Sequence, residues 1–258
     1  MKAVLRNMMR RSILLLVVFM LIRLVGFAQN PVDHGLFDDV LKKYVNEKGW
    51  VDYAGLKKDR VKFDQYLSLL RNNHPKDSWS RNEQVAYWIN AYNAFTLELI
   101  LKHYPLDGIK DIGSMIQIPF VNTPWDIKFI EIEGKEYDLN NIEHDFLRDK
   151  FEESRIHFAV VCASYSCPRL FRDAFFPETL NEQLNAAAIN FINDPRKNKV
   201  GKSEVGLSKL FSWYGGDFKK KTSLIEYLNQ YSKVKIADDA DISFLDYDWS
   251  LNDQLKQE

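Results

Sequence analysis

The chain has 258 residues, of which 28% are charged, 46% hydrophobic and 14% aromatic, with a formal charge of −1. These proportions exclude a disordered or collagen-like chain, and eleven glycines and eight prolines are too few for a low-complexity linker protein. The near-neutral charge gives no general basic footprint for nucleic acid, and two cysteines exclude a dense disulfide scaffold and a four-thiolate zinc site.

Residues 1–28 read as a signal peptide. Lys2, Arg6, Arg10 and Arg11 form a basic region, residues 13–22 an apolar run, and Gly26 and Ala28 place small residues before a cut ahead of Gln29. The apolar run falls short of the ~20 residues of a spanning helix, and Arg23 interrupts it. Removal of this leader leaves 30 basic against 36 acidic residues, a net charge of −6. The expectation is a periplasmic or secreted single globular domain over 29–258, with no stable membrane span. That compartment permits a Cys162–Cys167 disulfide.

Apolar residues at helical spacing predict helices over 35–46 and 55–72, with Pro75 breaking the pattern. Ser80 and Glu83 form a capping box that opens a helix over 81–103, apolar on all sides and so expected at the centre of the core. Residues 106–124 read as irregular. Alternation over 125–133 and a turn at Gly134-Lys135 predict a hairpin returning through Glu136-Tyr137. Asp138 or Asn140 caps a short helix over 140–150. The apolar run 156–162 predicts a buried strand, and Pro168 a helix start. Helices over 178–193 and 222–231 flank a short strand pair within 200–210. The class is α+β, helix-rich, around a small sheet.

Three features carry possible chemistry. Asn90 and Asn93 are carboxamides three apart in an apolar helix, where each must be hydrogen-bonded. They either orient a catalytic group or substrate, or satisfy loop backbone from within the core. His144 and Arg148 are i,i+4 neighbours, and His144 is a general base, a metal ligand or a surface histidine. In the segment 155–170 a buried strand would lead through small residues to a helix N-terminus at Cys167. Such a terminus favours thiolate and supplies amides for an oxyanion. His144 and His157 are the available bases. The competing readings are a Cys162–Cys167 disulfide, or two inert core thiols. The spacing between these cysteines departs from the C-x-x-C of thioredoxin-like sites. Recognisable metal-ligand spacing, phosphate loops and dinucleotide fingerprints are absent from the sequence, so neither metal nor cofactor is expected.

Taken in order, several blocks resemble the domain of unknown function 547 family. They are 87–94 (YWINAYNA), Ile142-Glu143-His144 with Leu147-Arg148, and His157-Phe158-Ala159. Cys162-Ala163-Ser164, Ser166-Cys167-Pro168, Trp213-Tyr214, Asp217-Phe218 and 247–252 (YDWSLN) follow. The resemblance spans about residues 50–252. It implies an exported or envelope protein with a shared polar site at Asn90, Asn93, Glu143, His144, Arg148, His157 and Cys167. A fold similar to the papain and transglutaminase group is a further implication, permuted because His144 precedes Cys167. The functional expectation is a cysteine-dependent hydrolase or acyltransferase acting on a peptide or cell-envelope substrate. Cys167 is its nucleophile and His144 its base, oriented by Glu143 or Asn90. Asn93, Arg148, His157 and Ser164 are expected to bind substrate, Arg148 through a carboxylate. The rival is a non-catalytic ligand- or protein-binding domain with a structural polar network and a Cys162–Cys167 disulfide.

Overall fold

A computed structural model of the chain describes residues 30–113 and 123–256, and the signal-peptide reading lies outside them. The amphipathic helix α1 (Gly35–Tyr44) buries Phe37, Val40, Leu41 and Tyr44. The helix expected over 55–72 is two helices, α2 (Tyr53–Lys58) and α3 (Val61–Arg71). The break falls at Asp59, whose carboxylate accepts from Lys43 Nζ at 2.7 Å and Tyr44 Oη at 2.9 Å, tying the kink to α1. Helix α4 (Arg81–His103) has the expected bounds, with the Ser80–Glu83 capping box at one end and Pro105 two residues past the other. Every residue from Gln84 to Leu101 is buried. A helix enclosed on all faces has no polar stripe, and this one is the axis of the larger core.

Strands β1 (Ile130–Ile132) and β2 (Lys135–Tyr137) form an antiparallel hairpin in the register Ile130 to Tyr137. Its turn sits one residue earlier than expected, at Glu133-Gly134, where both residues have positive φ (48° and 75°), as a tight right-twisting hairpin requires. Residues Asn141–Arg148, expected as α-helix, wind as a π-helix. Asp138 Oδ1 caps it, accepting from Asn141 N at 2.7 Å.

The strand expected over 156–162 does not form. Ser154–Phe158 is a short 3-10 helix, and residues 159–162 continue as buried irregular chain. A continuous apolar run reports burial, and here burial comes from packing between α4 and the second core rather than from a sheet. No helix follows Pro168 either. Irregular chain runs on to α5 (Leu180–Ile192).

The C-terminal third builds a second, aromatic core. Helix α5 packs against α6 (Leu210–Trp213), α7 (Gly215–Phe218) and α8 (Leu224–Asn229) through Phe158, Phe191, Phe211 and Phe218, with ring centroids 5.0–6.0 Å apart. Strands β3 (Lys199–Val200) and β4 (Glu204–Leu207) form the expected pair, and β5 (Asp241–Phe244) adds parallel to β4. The architecture is a helix-rich α+β domain with two small sheets rather than one. Past β5 the chain crosses back to the first core, where Val51 N donates to Asn252 O and Ala163 O accepts from Asn252 N.

Candidate active site

A cleft of about 750 Å³ opens between the π-helix, the loop 160–168, α6 and the segment 247–249. A second hollow, about 470 Å³ between Asp64, Arg71 and Glu133, is lined by neither cysteine nor histidine.

One wall of the cleft carries sulfur. It begins in α4, where Asn93 Nδ2 donates to Ala159 O and Asn93 Oδ1 accepts from Val161 N, both at 2.9 Å. Asn90 grips the chain further on in the same way, donating to Phe175 O at 2.7 Å and accepting from Phe175 N at 3.0 Å. Each carboxamide therefore satisfies one buried backbone N–H and one C=O. Neither Asn90 nor Asn93 lines the cleft. Both are spent on loop backbone, in keeping with the cost of an unpaired buried amide.

The Asn93 clamp delivers Cys162 to the cleft. Ala163 then takes a left-handed conformation, with φ of 59°, and turns the chain so that Cys167 returns beneath Cys162. Both thiols are free. Cys162 N donates to Cys167 Sγ at 2.9 Å, and the two sulfurs lie 2.9 Å apart, within hydrogen-bond reach of each other. The hydroxyls of Ser164 and Tyr247 lie 3.1 and 3.4 Å from Cys162 Sγ and 3.2 Å from each other. Burial alone would raise the Cys162 thiol, but donors from Cys167, Ser164 and Tyr247 outweigh it and bring the thiol down to about 7. Burial, and then the charge of Cys162, push Cys167 well up.

These facts change two expectations. Cys167 sits at no helix N-terminus and is only 5% exposed, so the terminus expected to favour its thiolate is not formed. Ser164 is buried and bonded to Tyr247, a partner of the thiol rather than of a substrate.

The facing wall is ionic. Arg148 forks onto Asp217, with Nε 2.7 Å from Oδ2 and Nη2 3.1 Å from Oδ1. Its third nitrogen, Nη1, donates to His144 Nδ1 at 2.8 Å. A guanidinium has donors only, so Nδ1 accepts and the proton of the neutral imidazole sits on Nε2. His157 Nε2 donates to Asp217 Oδ2 at 2.7 Å, and its ring stacks on Tyr214 with centroids 3.9 Å apart. The His157 hydrogen bond, seconded by Arg148, holds the Asp217 carboxyl well below the usual carboxylate range. Glu143 is buried and accepts from the Tyr214 hydroxyl, which burial pushes far above its ordinary value.

His144 and Arg148 do meet, but the group that fixes His144 is Arg148, not Glu143 or Asn90. Arg148 has its fork closed on Asp217 and is no free binder of a substrate carboxylate. His157 is 1% exposed and serves Asp217. The sequence reasoning gave no role to Asp217, Tyr214 or Tyr247, although all three fall in the blocks quoted for the resemblance. A carboxylate inside an otherwise aromatic stretch (Trp213, Tyr214, Phe218) was the signal available for Asp217. The mouth of the cleft is aromatic. Trp249 lies within 4.5–5.7 Å, centroid to centroid, of Tyr247, Trp213 and Trp125, and Lys110 Nζ stands 3.9 Å over its ring. Among the described residues no cluster of three or more His, Cys, Asp or Glu is arranged to hold a metal ion.

Residues 76–192 match the model of the family described as Protein of unknown function, DUF547, and this stretch is a domain of that family. It contains α4, the π-helix and both cysteines, but not Asp217 or Tyr247. No curated protein and no solved structure gives a significant match.

Proposed function

Starting from a domain of that family, we propose an exported thiol-dependent acyl hydrolase or acyltransferase in which Cys162 is the nucleophile. The observation that carries the reading is the Cys162 sulfur in an open cleft, surrounded by donors that favour its thiolate near neutral pH. The thiolate attacks an acyl carbonyl carbon, a C–S bond forms, and the bond to the leaving oxygen or nitrogen breaks. His144 Nε2–H, held in that tautomer by Arg148, donates a hydrogen bond to the departing group, which takes its proton from water. Water or a second acceptor then releases the thioester. Assigning the attack to Cys162 gives Cys167 the part of a donor to the nucleophile. A permuted papain-like arrangement belongs to the same proposal, since His144 precedes both cysteines.

The aromatic mouth favours an acyl donor with an apolar or planar face. A peptide or envelope component fits the compartment implied by the basic and apolar leader at residues 1–28. The same aromatic mouth would serve a non-catalytic ligand-binding domain, and a reactive thiolate is what separates the two readings.

Alkylation of the full chain across pH, in the reduced state and read by peptide mass mapping, is the test. Cys162 should label half-maximally near pH 7 and Cys167 should lag far behind. Labelling of Cys162 only above about pH 8.5, as for an ordinary thiol, would overturn the nucleophile. Export is tested separately, by fractionating cells that express the full chain.

A further inference from the structure

We infer that Cys162 and Cys167 are an attacking and resolving pair, so that the cleft also exchanges thiols with a small disulfide-bearing partner and closes an internal Cys162–Cys167 bond. This activity rests on the cleft and the Cys162–Cys167 pair that the acyl-transfer reading also uses, and it differs from that reading in what it consumes and leaves behind.

Four observations carry it. The sulfurs stand 2.9 Å apart, about 0.9 Å further than a disulfide bond, in a loop already turned by Ala163. Both line the cleft and they differ in exposure: Cys162 is half-buried, while Cys167 is 5% exposed. The loop is held from outside, because Tyr165 N donates to Ser250 O at 2.7 Å and Ser166 N to Asp248 O at 3.1 Å. Finally, the inner sulfur has stabilisers of its own. Cys162 N donates to it, and Lys197, 6% exposed with Nζ 4.5 Å over the Tyr165 ring, is near enough to feel its charge.

The electrons balance without a metal or other cofactor. The Cys162 thiolate attacks one sulfur of the external disulfide, that S–S bond breaks, and one external thiolate leaves. Cys167 gives its proton to solvent and attacks Cys162 Sγ. The mixed disulfide breaks and the second external thiolate leaves. Two electrons pass from the protein dithiol to the partner, and each departing thiolate takes a proton from water. Removing the Cys162 charge in the first step also removes one of the causes that oppose ionisation of Cys167, so the second thiol ionises more readily once the first has been consumed.

Speed alone does not reveal this. At neutral pH a thiol near 7 holds roughly fifteen times more thiolate than one at ~8.5, but its lower nucleophilicity gives back about fivefold, leaving a net gain of about threefold. The outcome of the reaction is the discriminating readout. The reduced full chain is mixed with oxidised glutathione, quenched by alkylation and mapped by mass. Wild type should pass to an internal Cys162–Cys167 disulfide with no lasting adduct. Cys167→Ala, checked for native circular dichroism, should accumulate glutathione on Cys162. Wild type that keeps glutathione on Cys162 while Cys167 still alkylates would overturn the inference. So would a reduced wild type in which neither cysteine reacts while a free-thiol control does. Cleavage of activated esters in reducing buffer reads the acyl reaction independently, so each activity can fail while the other survives.

Discussion

The two walls of the cleft solve opposite problems. On the ionic wall Arg148, Asp217 and His157 spend most of their charges and donors on one another, while His144 turns its Nε2–H to the cleft. On the sulfur wall the groups around Cys162 are a thiol and two hydroxyls, none of them charged. Neutral donors stabilise an anion without cancelling it. The charged cluster is closed on itself by its own ion pairs, whereas the Cys162 sulfur is met by neutral groups alone.

The prediction with the largest expected effect probes the anchoring of the sulfur wall. Asn93→Ala strands the buried Ala159 C=O and Val161 N–H, at about 1–3 kcal/mol each. A loss of roughly 2–4 kcal/mol should appear in urea unfolding, with Cys162 labelling returning toward that of an ordinary thiol. A cost below about 1 kcal/mol would remove the clamp from the account. Next is the scaffold. Asp217→Asn should cost about 2–3 kcal/mol, less than a fully buried pair because Arg148 and Asp217 keep 28% and 30% of their side-chain exposure. The folded Asp217 carboxyl lies below its unfolded value of ~4, so its contribution is complete above about pH 4 and is lost as pH falls toward the folded value. The variant should therefore show a flatter acid limb in unfolding measured from pH 7 to 3. A full loss of thiol reactivity in this variant would break the division between the walls.

Smaller effects sharpen the sulfur wall itself. Cys167→Ala removes the closest donor and should raise the Cys162 midpoint in pH-dependent alkylation by up to about one unit, since an S–H is a weak donor. Tyr247→Phe removes a 3.4 Å contact and should shift it less. The reverse ranking would mean that the tyrosine, not the second thiol, sets the nucleophile. Ala163→Gly relieves a left-handed alanine worth about 1–2 kcal/mol, but loosens the unfolded chain by about 0.4–1, for a net gain near 0.5 kcal/mol in thermal or chemical unfolding.

Long periodic elements were legible in the sequence because their patterns are local. The bounds of α4 follow from Ser80, Glu83 and Pro105, and the hairpin from alternation about Gly134. The loop 159–179 was not legible. Its apolar residues signal burial, but its backbone partners are the side chains of Asn90 and Asn93, 85 and 66 residues earlier, and the backbone of Asp248, Ser250 and Asn252 far later in the chain. The same holds for the site. Spacing within one turn brought His144 to Arg148, whereas Asp217 reaches Arg148 from 69 residues away and Tyr247 reaches Cys162 from 85. Cys167 drew attention through Pro168, which in the structure begins no helix.

Asn252 reaches across nearly the whole described chain. Its Oδ1 accepts from Tyr53 Oη at 2.7 Å, 199 residues away, and its backbone N–H bonds to Ala163 O. Synthesis runs in the other direction: a ribosome releases Cys162 and Cys167 well before Tyr247, Ser250 and Asn252 exist to hold their loop. During that interval the thiols lack the Tyr247 hydroxyl, and Cys162 stays nearer an ordinary, mostly protonated thiol. The Tyr247 hydroxyl and the backbone ties from Asp248, Ser250 and Asn252 to the cysteine loop therefore exist only once the C-terminal segment has folded back.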